Sequence, residues 1–175
     1  MDKRGVQLAL NTLVVIILSI TILALGAVFL FSFAGETESL SAELDSQTNQ
    51  QIESLLTQGQ KVAIPLNTKA TEPGGQAVFG YGIINVLPQG AEFTRQISFS
   101  KAIDVQNNEI SVNANDWVRF SNDPIQLANQ DSFSDSILVV VPKDAAKGTY
   151  IYNLEIFHDG GRRYDSVKKF YVTVE

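Results

Sequence analysis

The stretch TYIYNLEIFHDGGRRYDSVKKFYVTV, residues 149–174, decides how most of the chain folds. Tyr150, Tyr152, Leu154 and Ile156 share one face, and Phe170, Val172 and Val174 share another further on. Side chains leave a strand on alternate faces, so a period of two reads as strand. Between the two runs, Asp159-Gly160-Gly161 supplies residues that tolerate positive φ, and the pair reads as a hairpin. The same patterning extends back from it. Strands are expected at 61–66, 76–85, 92–100, 110–112, 116–121, 135–141, 149–157 and 166–174. Pro73-Gly74-Gly75, Pro88-Gln89-Gly90 and Asn122-Asp123-Pro124 separate some of them. Short strands at regular spacing indicate a sandwich or barrel, and no helix of comparable strength makes a βαβ unit. Phe93, Ile97 and Phe99 share a face that Arg95 interrupts, and Trp117 is expected between the sheets.

The first 60 residues have another character. No charge occurs from Gly5 to Gly35, and in residues 13–33 only Ser19, Thr21 and Ser32 are polar. About 20 apolar residues in a helix span the hydrocarbon of a bilayer, so a transmembrane helix is expected over residues 6–35. Leu13, Val14, Ile17, Leu18, Ile22, Leu25, Phe29 and Phe33 would carry its packing. Lys3 and Arg4 precede the run, while Glu36, Glu38, Glu43, Asp45 and Glu53 follow it with no base before Lys61. Positive charge stays on the cytoplasmic side, which places the chain in the cell membrane with its C-terminal part outside.

Residues 36–59 read as an amphipathic helical spacer, with Leu40, Leu44, Ile52 and Leu55 on one side and Gly59 as a stop. The first proline is Pro65, so one helix from residue 6 to 58 is compatible with the sequence. At 1.5 Å per residue it would be roughly 80 Å long. The fold class expected is therefore α+β by segments: a long N-terminal helix, then an all-β sandwich over residues 60–175.

Two resemblances sharpen this reading. Lys3-Arg4-Gly5, followed at once by Val6-Gln7-Leu8-Ala9-Leu10, resembles the class III signal peptide of archaeal type IV pilins. The resemblance implies a leader of residues 1–5, cut between Gly5 and Val6 by a prepilin peptidase, and an apolar helix retained for filament assembly. It departs from many relatives in having Leu10 where they carry Glu, and the chain has no Asn-x-Ser/Thr sequon. Pro142-Lys143-Asp144-Ala145-Ala146-Lys147-Gly148-Thr149-Tyr150 resembles the late part of prokaryotic immunoglobulin-like domains. That implies a turn at Gly148 leading into the penultimate strand, with Tyr150 bonded to nearby backbone as in a tyrosine corner.

Little catalytic chemistry is visible. The absence of cysteine removes disulfides, thiolate metal sites and cysteine nucleophiles. A net charge of −6 argues against a nucleic-acid partner. His158 is the single histidine, and it reads as a solvated turn residue. The acidic loops around Asp104 and Asp131 lack the spacing of a calcium loop. No catalytic residue, metal or cofactor is expected. Arg162, Arg163, Lys168 and Lys169 form a basic cluster, read either as a charged guard on an exposed edge or as a contact for a neighbour's acidic spacer.

Two functions follow as expectations. The first is a structural subunit of a type IV pilus-like surface filament, self-associating through its N-terminal helix and handled by a prepilin peptidase and assembly machinery. The second is a single-pass, membrane-anchored binding or adhesion module. A secretory cleavage after Ala34 is a further fate for the same segment.

Overall fold

The structure is a computed structural model that describes residue 16, residues 18–22 and residues 46–175. By its contacts the chain divides into two units, Met1–Ser41 and Ala42–Glu175. In the second unit a helix α1 (Ser46–Thr57) precedes eleven strands. They are β1 (Val62–Ala63), β2 (Thr68–Thr71), β3 (Gln76–Ile84), β4 (Ala91–Ile103), β5 (Glu109–Ile110), β6 (Val118–Arg119), β7 (Ile125–Leu127), β8 (Ser132–Val140), β9 (Gly148–His158), β10 (Arg162–Arg163) and β11 (Lys168–Val174).

Two sheets form a β-sandwich. One has the order β1-β3-β8-β6, and the other β2-β11-β9-β4-β5 with β10 on β9 and β7 on β4. Among the described residues only β2 and β11 pair in parallel. Phe79, Tyr81 and Ile83 face inward from the first sheet, and Phe93, Tyr150, Tyr152, Leu154, Phe170 and Val172 from the second. Across the gap the Phe79 and Phe170 rings lie 4.9 Å apart, and within the second sheet Tyr152 stacks on its cross-strand partner Phe170 at 5.2 Å. Burying each such aromatic contributes about 2–3 kcal/mol, and the chain has no cross-link to supplement that core.

Of the strand expected at 61–66 only residues 62–63 form one, and a further strand not expected from the sequence, β2, follows at residues 68–71. β1 pairs with β3, and after Pro65 the chain crosses to pair β2 with β11. Proline lacks the N–H that a continuous ladder would need there. Trp117 ends a short 3₁₀ turn (Asn115–Trp117) rather than sitting within a strand.

The expected long N-terminal helix is corrected. Among the described residues, helix occurs at residue 16, at residues 18–22 and in the 12-residue α1. None of these is long and apolar enough to cross a membrane. Anchoring through an N-terminal helix, and the cell-membrane location inferred from it, is therefore not supported. The physical reason lies in what hydropathy measures. It registers apolar side chains along the sequence, not whether they stand in one continuous helix. Further on, α1 is a polar-rich helix in which only Ile52 and Leu56 are buried.

Candidate functional site

The described part of the chain offers three places where side chains converge: the seat of α1, a buried cation between the sheets, and the basic hairpin end. The seat of α1 begins with glycine. On the outward face of β3, Gly82 leaves a notch that Ile52 fills. A Cβ at Gly82 would fall inside Ile52 Cγ2 and lie 3.2 Å from Leu56 Cδ1. Ile52, Leu56 and Ala63 form a second small core there, with Leu55 and Ile84 half-buried beside it. Helix and sandwich are thereby joined by side-chain interlocking as well as by the chain. The helix ends at Gly59, whose φ of 98° is a left-handed stop.

The buried cation is Arg95. Its inward position on β4 puts it among Phe93, Tyr81 and Asp135, and it is 4% exposed. Nη1 donates to Tyr81 Oη at 3.0 Å and lies 3.4 Å from Asp135 Oδ2, while Nη2 donates to the Asp123 carbonyl. The Phe133 ring sits 5.7 Å away, a cation–π distance. Its Nε finds no partner among the described residues. Burial pushes the Tyr81 hydroxyl up to about 12, against the opposing pull of Arg95. What looked like an interruption of an apolar face is thus a polar tie between the two sheets. Among the described residues β4 and β8 each lack a partner strand along part of one side here, since β6 pairs only Leu138 and Val139 of β8, and β7 and β5 pair only Ala91, Glu92, Phe93, Ala102 and Ile103 of β4. Inward-pointing charge is a known protection for such edges.

The basic end is built on the last hairpin. Gly160 and Gly161 have φ of 79° and 108°, as the reversal requires. Arg163 pairs with Glu155, and Lys168 Nζ lies 3.1 Å from Asp165 Oδ2. Arg162 and Lys169 are exposed, and among the described residues neither has a carboxylate partner. His158 is not a free turn residue. Its ring packs edge-on to Tyr164 at 5.8 Å, and Nδ1 lies 3.2 Å from Asp159 Oδ2.

The remaining sequence candidates are placed as follows. Trp117 is nearly buried, its ring 4.6 Å from that of Tyr150. Tyr150 is buried and its hydroxyl donates to the Ala146 carbonyl at 2.8 Å, a tyrosine-corner contact. Gly148 sits against β4: a Cβ there would collide with the Ile103 carbonyl and lie 2.8 Å from Ile110 Cδ1. Leu18 and Ile22 are helical and 55% and 68% exposed. Lys3, Arg4, Gly5, Val6, Leu13, Val14, Ile17, Leu25, Phe29, Phe33, Leu40 and Leu44 lie outside the described residues. The Asp104 carboxylate accepts bonds from Gln106 N, Asn108 N and Asn108 Nδ2, and the Asn108 side chain leads in holding it below the ordinary range. Among the described residues no group of three or more His, Cys, Asp or Glu is placed to hold a metal.

Sequence reading missed two further residues. Asn85 is fully buried and donates to the Gln89 and Leu127 carbonyls at 3.0 and 2.9 Å. Tyr164 donates to the Ile84 carbonyl at 2.7 Å and accepts from Val86 N, tying the last hairpin to the opposite sheet. A lone Asn ending an apolar strand was the visible signal for the first. The second had none beyond being aromatic.

No protein-family model matches the chain, and no curated protein matches it. Solved structures resemble its fold. PapD-like domain 7 of human CEP192 is 15% identical over 66% of this chain and 85% of that one, at a TM-score of 0.44. A family 123 glycoside hydrolase from Clostridium perfringens is 14% identical over 63% of this chain and 22% of that one, at 0.44. The class 5 fimbriae chaperone CfaA is 12% identical over 65% of this chain and 54% of that one, at 0.36. At such identities and scores they bear on neither family nor activity.

Proposed function

We propose that the chain is a non-catalytic structural subunit that assembles into a filament of the type IV pilin-like kind. Residues 6–33 supply the self-associating apolar surface, and the sandwich is the head. Association of that kind is driven by removing apolar side chains from water, and a stretch of this length offers far more apolar area than a monomer can leave exposed.

The observation that carries the reading is the interlocked seat of α1. A head held by a flexible tether needs no glycine notch, whereas a subunit that transmits packing order needs the point where the chain enters its head to be fixed. Ile52 at 0% and Leu56 at 4% exposure give that fixation, against a notch that only glycine leaves open. The leader resemblance at Lys3, Arg4 and Gly5 supports the same conclusion from the sequence.

The mass of the mature protein tests it. A chain beginning at Val6 is the expected result. A chain beginning at Gly35 would remove the self-associating segment and overturn the reading.

A further inference from the structure

A groove of about 360 Å³ opens where β11 begins, next to the crossing between β1 and β2. Lys168 and Lys169 stand on its wall, with Gln60, Asn67 and Ser166 around it. Lys168 is matched by Asp165, while Lys169 is exposed and carries a charge that no carboxylate among the described residues offsets. Exposed Arg162 adds a second such cation on the same hairpin. A polar groove with excess positive charge selects an anionic group.

The chain itself contains an acidic stretch. Residues 36–45 hold Glu36, Glu38, Glu43 and Asp45 and no base. In a filament, adjacent copies hold that segment at high effective concentration beside one another's grooves. We infer that the groove at Lys168 and Lys169 receives the acidic segment 36–45 of a second copy. The inference rests on the filament reading and names the contact that sets which neighbours meet. Exposed ion pairs contribute little singly, so the contact steers and registers subunits that apolar packing holds together.

Charge exchange in the full-length chain tests it, with assembly followed by light scattering against concentration. Lys168→Glu with Lys169→Glu is one variant, and Glu36→Lys, Glu38→Lys and Glu43→Lys is the other. Each should raise the concentration for half-assembly by about fivefold or more, because several weak attractions become repulsions. Combining all five reversals in one chain should bring it back to within about twofold. Added salt should weaken assembly of the unaltered chain and improve that of either reversal, whose repulsions it screens. Assembly indifferent to either reversal, or not restored by the combination, would overturn the inference and leave the filament reading standing. An unaltered chain that stays monomeric would overturn both.

A second measurement covers reversals that impair folding. The chain has no cysteine, so a Lys169→Cys chain mixed with a Glu43→Cys chain reports contact by disulfide formation. A mixed dimer well above the two homodimers is expected. A statistical mixture contradicts the contact.

Discussion

Replacing Gly82 by alanine should unseat α1 while leaving the sandwich folded. The added methyl would penetrate Ile52 Cγ2 and lie 3.2 Å from Leu56 Cδ1. Carbon atoms in contact sit about 3.5–4 Å apart, so α1 must move out by more than about 1 Å. Overpacking of this kind costs about 1–3 kcal/mol. Complete undocking would expose Ile52 and Leu56, at about 1.5–3 kcal/mol each, which sets the upper limit. Alanine recovers about 0.5–1 kcal/mol of backbone entropy relative to glycine in a strand. The net loss expected is therefore about 1–2 kcal/mol, concentrated on the helix. Urea denaturation gives the total, and amide exchange gives its location. Protection should fall over residues 46–57 and persist in β3 and β9. Ile52→Ala removes the atom that the new methyl strikes, so the two substitutions together should cost less than their sum. Unchanged protection of α1 in Gly82→Ala, or strict additivity with Ile52→Ala, would refute the notch as the seat of the helix.

The remaining predictions concern the core. Tyr150→Phe removes the bond to the Ala146 carbonyl at 2.8 Å and should destabilise by about 1 kcal/mol, read from a shifted urea midpoint at constant slope. Arg95→Met strips Asp135 and the Tyr81 hydroxyl of their buried partner. It should cost about 3 kcal/mol, toward the lower end for breaking a buried pair because Asp135 keeps 29% exposure. Adding Asp135→Leu to Arg95→Met should recover stability and leave an apolar edge prone to association, measured by sedimentation. Since the folded-state pKa of Tyr81 is raised from 10.0 to about 12, the folded protein retains a proton that the unfolded chain loses. Stability should be intact below about pH 10 and fall as pH rises toward 12, followed by thermal melting with phenolate absorbance as the monitor.

Legibility in the sequence followed the physics of each element. The last hairpin was readable because alternation and a turn with two glycines are local signals: Gly160 and Gly161 carry positive φ whatever surrounds them. The β1–β2 crossing was not, since a strand that changes sheets depends on partners far along the chain. Pro65 marked the place without stating the consequence. Arg95 was visible as a break in a pattern, but its burial is decided by Tyr81, Asp123 and Asp135, which lie 14, 28 and 40 residues away. The glycine notch was equally hidden, because Gly82 reads as a weak strand residue until Ile52 is placed on it. The apolar segment shows the opposite hazard. Hydropathy alone suggested an unbroken rod, although it holds no information on helical continuity.

Sedimentation velocity of the full-length chain beside a chain of residues 42–175, with negative-stain imaging of the same samples, bears on the filament reading without intermediaries. The full-length chain should form filaments whose amount rises with concentration, while residues 42–175 remain a folded monomer. A full-length chain that stays monomeric at every concentration, with its sandwich intact, would contradict the proposed function.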